Sequence, residues 1–188
     1  MKLLEDKILN EGIVLGQDIL KVDGFINHQI DVSFMEELGK DMAEYFQGQG
    51  ITKVFTIESS GIAPAVFTAK YLNVPMVILK KQASKNLKTQ VWQTEVVSYT
   101  KDLSYELTLA KEYISDTDHI LIVDDFLANG EAATGAVRLI RKAHATIAGV
   151  GVLIEKSFQP GREKLESQGI SVYAQAQIRD FENGKVRF

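Results

Sequence analysis

The sequence contains no cysteine and only three prolines among its 188 residues. Without cysteine there is no disulfide framework, no thiolate metal site and no cysteine nucleophile, and nothing in the chain indicates an oxidising compartment. Hydrophobic residues make up 45% of the chain and charged residues 24%. This balance is typical of an ordered globular protein rather than of a solvated tail.

Basic charge and long apolar runs are also scarce. The formal net charge is -4 at pH 7, the reverse of the basic surface expected of a protein that binds nucleic acid. Acidic residues interrupt the apolar ones in the N-terminal MKLLEDKILNEG, and no later apolar run approaches the ~20 residues of a membrane span. We therefore expect a cytoplasmic protein with no nucleic acid and no membrane among its partners.

The first third of the chain predicts helices joined by irregular structure. Residues 2–9 carry apolar side chains at helical spacing, and residues 31–46 repeat the pattern with an aspartate placed to cap the start. Residues 12–30 are rich in glycine and mixed in pattern, which indicates short extended pieces and turns. The length fits one domain, and no repeat or linker divides it, so we expect residues 1–188 to form a single domain.

From residue 51 the pattern changes to a repeat of buried strand, loop and helix, which predicts a parallel α/β sheet flanked by helices. The predicted strands are TKVFTIE, PMVILK, HILIVDD and IAGVGVLIEK. Residues 80–113 differ, because polar turn material is followed by the alternating segments QVWQTEVVSY and LSYELTLA. We interpret this stretch as an antiparallel excursion that forms a hood beside the sheet.

The strongest chemical signal is ILIVDDFLANGEAATG, residues 120–135. An apolar strand ends in Asp124 and Asp125, and a loop of small residues then leads into a helix. Such a junction directs backbone N–H groups and the positive end of a helix dipole at one point, which suits a phosphate. Small side chains in the loop allow the backbone itself to approach the anion.

Two aspartates beside a phosphate site must face a neutral part of the ligand, because carboxylates would repel the phosphate at contact. A ribose diol fits, since two acceptors bind its hydroxyls while the 5-phosphate occupies the loop. The pattern therefore predicts a ribose 5-phosphate site. The alternative is that Asp124 and Asp125 only cap the helix and turn the chain.

Four apolar residues, two acidic ones and a small-residue loop resemble the PRPP-binding motif of the type I phosphoribosyltransferases. The resemblance implies their fold, assigns Asp124 and Asp125 to the catalytic site, and places a loop segment on PRPP. That segment is Ala128, Asn129, Gly130, Glu131 and Ala132.

The loop departs from the common pattern at several positions. Many relatives have hydroxyl residues where this chain has Asn129 and Ala132. Relatives that use hypoxanthine and guanine typically have an aspartate, thought to act as a base, where Ala128 stands. Glu131 adds a carboxylate to an anion-binding loop, which is tolerable only if its side chain turns outward.

A second segment, IESSGIAPA, resembles the pyrophosphate loop of the same family at Ser59, Ser60 and Gly61. The alternative is a plain strand-to-helix turn in which Ser59 or Ser60 is the N-cap. In relatives, a basic residue at the end of the next strand helps to hold pyrophosphate, and Lys81 matches it. The alternative for Lys81 is membership of an ordinary solvated charge cluster.

Nearly the whole chain resembles bacterial members of the family that act on xanthine, through ILKVDGFINHQID, TIESSGIAPAV, IVDDFLANGEAA and IEKSFQPGRE. That resemblance implies contacts to xanthine from Leu20, Asn27 and Lys156. The alternatives are core packing for Leu20, turn formation for Asn27, and a surface pair with Glu155 for Lys156. Phe158 either stacks on the purine or belongs to the core.

The reaction implied is purine salvage, in which the phosphoribosyl group of PRPP passes to xanthine and gives xanthosine 5'-monophosphate and pyrophosphate. The family also implies Mg²⁺ carried largely by PRPP, and a homodimer. The competing hypotheses are an adenine or other purine phosphoribosyltransferase and a PRPP-sensing transcriptional regulator. Lys156 argues against adenine, whose exocyclic amine is poorly served by a cation, and the chain before the first sheet strand lacks the basic helix pair of a DNA-binding module.

Overall fold

A computed structural model describes residues 1–16, 19–81, 90–98 and 103–188. In chain order its elements are α1 (Lys2–Glu11), β1 (Ile13–Leu15), β2 (Ile19–Lys21), α2 (Val32–Phe46), β3 (Lys53–Ile57), α3 (Ile62–Leu72), β4 (Met76–Leu79), β5 (Val91–Ser98), β6 (Leu103–Ala110), a short 3-10 helix (Lys111–Tyr113), β7 (His119–Leu127), α4 (Glu131–Lys142), β8 (Thr146–Lys156), α5 (Gly161–Glu166), β9 (Val172–Ile178), β10 (Asp180–Glu182) and β11 (Lys185–Arg187).

Five parallel strands form the central sheet in the order β4-β3-β7-β8-β9. The predicted parallel α/β architecture is therefore confirmed. Parallel strands end at a common edge, and in open α/β sheets ligands bind outside that edge. The predicted pyrophosphate loop follows β3 and the predicted xanthine-contacting lysine ends β8. The aspartate pair lies within the last four residues of β7, because the strand continues past its predicted end to Leu127. The topology therefore brings all three to one side of the molecule.

The sheet separates two clusters of buried side chains. In β7, Leu121 and Val123 belong to the cluster under α1, α2 and α3, whereas Ile120 and Ile122 belong to the cluster under α4 and the β5–β6 ribbon. Side chains of a strand alternate between faces, and both faces of a parallel sheet are normally covered. This explains why residues 120–123 of β7 are an uninterrupted apolar run in the sequence.

The N-terminal third follows its predicted pattern. The Asp31 carboxylate accepts a hydrogen bond from the Phe34 backbone N–H at 3.1 Å, which caps α2 as expected. The segment between α1 and α2 forms an antiparallel pair, in which Val14 lies opposite Leu20, followed by turns. The structure confirms both predictions.

The predicted antiparallel excursion is the ribbon of β5 and β6, and it is fixed at its base. Backbone hydrogen bonds of 3.0 and 2.8 Å join Lys80 to Thr108 and so connect the end of β4 to β6. Arg138 of α4 donates to the Thr94 hydroxyl at 3.0 Å and to the Glu95 carbonyl at 2.6 Å. The polar turn material at residues 82–89, part of the predicted hood, lies outside the described residues.

Beyond β8 the structure adds α5, β9 and the β10–β11 hairpin, none of which we predicted from the sequence. β9 extends the sheet, and the hairpin follows it directly. None of the helices within the described ranges has the length and apolar character needed to span a bilayer.

Candidate functional site

The two aspartates at the end of β7 make different contacts. Asp124 lines a cavity at the carboxyl edge of the sheet, and its Oδ1 accepts a hydrogen bond from the Asp125 backbone N–H at 2.9 Å. The Asp125 side chain is only 9% exposed, and its Oδ2 accepts a hydrogen bond from Asn27 Nδ2 at 3.3 Å. Asp124 is thus the carboxylate best placed to meet a ligand in the cavity, and Asp125 lies beside one of the residues predicted to contact xanthine.

Burial raises the pKa of the Asp124 carboxyl well above its usual range, and the charge of Asp125 raises it further. The ionised form of Asp124 is therefore destabilised in the ligand-free protein. Hydroxyl donors placed against Asp124 would favour its charged form, as a ribose diol does.

This shift predicts how stability depends on pH. A carboxyl with a raised pKa binds its proton more tightly in the folded state, so stability is lost as pH rises from the usual aspartate range to the pKa of Asp124, and stays lost above it. We expect Asp124→Asn to unfold at a higher temperature than the wild type at about pH 8, by about 2–4 °C per kcal/mol relieved, with the difference shrinking towards about pH 5. Calorimetry of the ligand-free proteins measures it.

Asp118 provides the control of opposite sign. It is 7% exposed and forms an ion pair with Lys53 at 2.8 Å, so Asp118→Asn should lower the melting temperature at neutral pH. A less stable Asp124→Asn protein at about pH 8 would show that the Asp124 charge is already compensated in the free protein.

The predicted PRPP loop forms the wall of the same cavity. Its residues 128–132 line the cavity together with Asp124 and with Val96 and Tyr105 of the ribbon. Gly130 is the N-cap of α4 and has no side chain to cap it. The first N–H groups of a helix have no intrahelical partner, so those of α4 are left for an anion.

Gly130 has two reasons to be glycine. Its φ is 78°, in the left-handed region, and a Cβ built on it would lie 2.9 Å from the Gly161 Cα. The Gly161 backbone N–H donates to the Ala128 carbonyl at 3.0 Å. The loop is therefore held against the start of α5 by direct backbone contact.

The Glu131 side chain, which we expected to turn outward, forms an ion pair with a lysine of α5. Its carboxylate lies 2.5 Å from the Lys164 ammonium, while the residue still lines the cavity. The charge of Glu131 is balanced by this ion pair, and the direction of its carboxylate relative to a bound phosphate stays a prediction.

The predicted pyrophosphate loop is in contact with Asp124. It connects β3 to α3, and a Cβ built on Gly61 would lie 2.6 Å from the Asp124 Oδ1 and 2.4 Å from the Thr56 Oγ1. Only glycine fits so close to both side chains. The N-cap of α3 is Gly61, so the alternative in which Ser59 or Ser60 caps this helix is wrong.

The two lysines at the end of β4 differ in orientation. The Lys80 ammonium forms an ion pair with Glu58 at 3.2 Å. The Lys81 ammonium lies 5.5 Å from the centre of the Tyr105 ring, which borders the cavity, and its charge lowers the pKa of Asp124 against the larger effect of burial. Of the pair, Lys81 is the one whose charge acts on Asp124, and its contact with pyrophosphate stays a prediction.

Tyr105 lines the cavity but was missed by the sequence analysis. Burial raises the pKa of its phenol, and the charges of Asp124 and Glu131 raise it further, so the hydroxyl remains a hydrogen-bond donor at neutral pH. The alternation in LSYELTLA, which places Tyr105 on the same face as the buried Leu107, is the signal that could have found it.

Leu20 and Asn27 are predicted to contact xanthine. Their positions also match the alternatives of core packing for Leu20 and turn formation for Asn27. Leu20 is 7% exposed and belongs to the core cluster with Ile8 and Val22. Asn27 lies in a turn, with its side chain directed at Asp125. Their contact with a purine stays a prediction.

At the end of β8 the neighbouring Glu155 and Lys156 have separate surroundings. Glu155 is 2% exposed and accepts hydrogen bonds from Arg162 at 2.5 and 2.9 Å. Lys156 is half-buried, as the last residue of the strand. Phe158 is 44% exposed and meets Phe181 edge to face at 5.8 Å, so the alternative that places it in the core is wrong.

Comparison with known proteins agrees with this geometry. Residues 33–184 match the model of the phosphoribosyl transferase domain. The xanthine phosphoribosyltransferase of Agathobacter rectalis is 57% identical over 188 residues, covering 100% of this chain and 98% of the relative. Xanthine phosphoribosyltransferase 1 of Clostridium botulinum is 58% identical and covers 100% and 99%.

Solved structures give the same fold. The adenine phosphoribosyltransferase of Rhodothermus marinus superposes with a TM-score of 0.75 at 24% identity, covering 94% of this chain and 99% of that one. This similarity concerns the fold alone. The family model, the full-length relatives and the cavity at the end of β7 agree, and the chain belongs to the phosphoribosyltransferase family.

Proposed function

We propose that this chain is a purine-salvage enzyme that transfers the 5-phosphoribosyl group of PRPP to xanthine, giving xanthosine 5'-monophosphate and pyrophosphate. The observation that carries the proposal is the cavity in which Asp124 lies beside loop 128–132 and the uncapped start of α4. The Asp124 carboxylate can accept hydrogen bonds from the ribose hydroxyls, while the loop and the start of α4 bind the 5-phosphate. The full-length relatives support xanthine as the base.

In the proposed reaction each part of PRPP has its own contact surface. The amides of loop 128–132 bind the 5-phosphate, while Asp124 and Asp125 accept the ribose hydroxyls. Residues 59–61 and Lys81 bind the pyrophosphate. A purine nitrogen then forms its bond to the anomeric carbon as the bond to pyrophosphate breaks, and the positive charge on the ribose develops next to the two carboxylates.

The ribbon contributes by covering the cavity. Val96 and Tyr105 of the ribbon line it, and Arg138 joins β5 to α4 by hydrogen bonds. A covered site excludes water, which would otherwise hydrolyse PRPP in place of transfer.

Phosphoribosyltransferases generally use Mg²⁺ with PRPP. Within the part of the chain that the structure describes, no group of three or more His, Asp or Glu side chains is arranged to hold a metal ion. We propose that the ligands of the Mg²⁺ ion are mainly PRPP and pyrophosphate oxygens, as is common for Mg²⁺ bound with phosphates. Bound in that way, the ion would neutralise charge on the leaving group.

Base choice rests on Lys156. A cation at the end of β8 can donate to a purine oxo group and offset the charge of ionised xanthine. Ala128 stands where relatives specific for hypoxanthine and guanine have an aspartate that acts as a general base. Xanthine is the more acidic purine, so its reaction depends less on a general base.

Replacement of Lys156 tests this assignment. A hydrogen bond to a charged group contributes roughly 1.5–3 kcal/mol, so Lys156→Ala should lower kcat/KM for xanthine about 10- to 150-fold. PRPP binding measured without base should stay close to the wild type. Lys156→Gln keeps a donor but no charge, so it should recover more activity with a neutral oxopurine than with ionised xanthine.

Lys40→Ala, at an exposed lysine of α2, is the matched control and should leave both substrates unaffected. Full xanthine turnover in both Lys156 variants would make Lys156 a surface lysine and remove the physical basis for the choice of xanthine.

Two alternatives remain to be separated from this proposal. The first is an adenine phosphoribosyltransferase. A competition assay with xanthine, hypoxanthine, guanine and adenine at fixed PRPP tests it, and a preference for adenine would overturn the xanthine assignment.

The second alternative is a PRPP-sensing regulator. In the described residues before β3, α1 and α2 bury side chains in the main core, which argues against their forming a separate DNA-binding module.

We also propose that the enzyme is a homodimer, as the family resemblance implies. Ile13, Leu15 and Ile19 of the β1–β2 pair are 53%, 46% and 54% exposed, and a cluster of this kind is often covered by a partner. Sedimentation velocity at micromolar concentration tests this, and a monomer would contradict it.

A further inference from the structure

The negative charge of Glu131 is unfavourable for binding a phosphate in the loop. It opens α4 and lines the cavity assigned to the PRPP phosphate. Its charge is felt inside the cavity, where it is one of the causes that raise the pKa of Tyr105. A phosphate bound in the loop would lie near this negative charge, and like charges at short range in a partly buried site repel.

Lys164 lies where it offsets that charge. Its ammonium is 2.5 Å from the Glu131 Oε1, and the two side chains are 40% and 25% exposed. The partners are 33 residues apart in sequence, on α5 and α4. The ion pair is therefore a product of tertiary structure and not of a single helix.

The position of Lys164 is set by backbone contact between α5 and the loop. The Gly161 N–H donates to the Ala128 carbonyl at 3.0 Å, and a Cβ built on Gly161 would lie 2.3 Å from that oxygen. Lys164 follows Gly161 by three residues, about one helical turn. The backbone that carries Lys164 is thus held beside the loop.

We propose that Lys164 is a positioning residue for PRPP, which neutralises Glu131 and keeps its carboxylate turned away from the phosphate. The proposal rests on the proposed function, because it assigns the loop to PRPP. It concerns substrate binding only: Lys164 acts through Glu131 and touches no reacting atom.

The test is a double-mutant cycle on PRPP affinity. Lys164→Met leaves Glu131 uncompensated, so we expect the KM for PRPP to rise about 5- to 30-fold, with kcat and the KM for xanthine changed less than about 2-fold. Lys164→Arg keeps the charge and should restore the KM. In the Glu131→Gln background, Lys164→Met should change the KM for PRPP by less than about 2-fold.

Salt dependence separates charge neutralisation from a purely structural effect. An uncompensated charge is screened, so the KM ratio of Lys164→Met to wild type should fall as the ionic strength rises from about 0.05 M to about 0.5 M. Loss of packing would instead lower the melting temperature and persist in salt. Calorimetry of each variant provides the readout of folding.

The chain offers a matched control pair. The Lys70 ammonium also lies 2.5 Å from a carboxylate, that of Glu36, but this pair joins α3 to α2 away from the cavity. Lys70→Met should leave the KM for PRPP unchanged at both ionic strengths.

The outcomes separate the inference from the proposed function. If the wild type uses PRPP but Lys164→Met has a wild-type KM, or keeps its penalty in the Glu131→Gln background, the role of Lys164 is refuted. If the wild type transfers the phosphoribosyl group of PRPP to none of the four purines, the proposed function itself is refuted. An isolated rise in the KM for PRPP that Glu131→Gln suppresses supports both.

Discussion

Asp124→Asn combined with Asp125→Asn is expected to lower kcat/KM for PRPP about 150- to 25,000-fold while leaving the protein folded. Two hydrogen bonds to charged groups contribute roughly 1.5–3 kcal/mol each, and an amide does not replace a carboxylate acceptor. Steady-state kinetics with PRPP varied at saturating xanthine measures the loss. Circular dichroism and calorimetry confirm the fold, which removal of a buried charge at Asp124 should not weaken.

The single variants should differ, because only Asp124 lines the cavity while Asp125 is engaged by Asn27. We expect the greater loss from Asp124→Asn. Asp116→Asn, at an exposed aspartate before β7, is the control and should retain normal kinetics. Near-normal kcat/KM for PRPP in the folded double variant would rule out the ribose-site assignment.

Gly130→Val should have the second largest effect. The position has a φ of 78°, which a β-branched residue adopts only under strain, and the added Cβ would meet the Gly161 Cα at 2.9 Å. Loop 128–132 must then move from the phosphate position. A displacement of about 1 Å at a positioning contact is enough to lower kcat/KM for PRPP about 100-fold. The KM for xanthine should change far less.

Gly48→Val distinguishes strain from loss of function. Gly48 also has a φ of 78°, but nothing lies within 4 Å of its built Cβ, and it is in the loop between α2 and β3. It should lower stability without affecting the KM for PRPP. If Gly130→Val affects both substrates equally, the phosphate binds elsewhere.

Much of the fold follows from local sequence pattern. The apolar spacing of α2, its Asp31 cap and the buried runs of the sheet strands are each determined by residues close together in the chain. The same holds for the loop at Gly130, where a strand, small residues and a helix succeed one another. Such features are visible in sequence because the physical cause is local.

The parts that sequence did not predict depend on distant contacts. The Asn27 amide and the Asp125 carboxylate are 98 residues apart, and the Lys164–Glu131 pair joins two helices. No periodicity indicates which of many lysines will lie near a given glutamate. The place of β9 at the sheet edge likewise required the assembled structure.

The short connection from β8 to α5 also bears on how this enzyme can be redesigned. Four residues separate Lys156, which we propose contacts the base, from Gly161, whose backbone N–H donates to the Ala128 carbonyl of the loop. Inserting or deleting a residue there moves one end relative to the other. A segment transferred from a homologue to change the nucleobase specificity must therefore preserve the length of this connection. A change in its length would weaken the binding of PRPP.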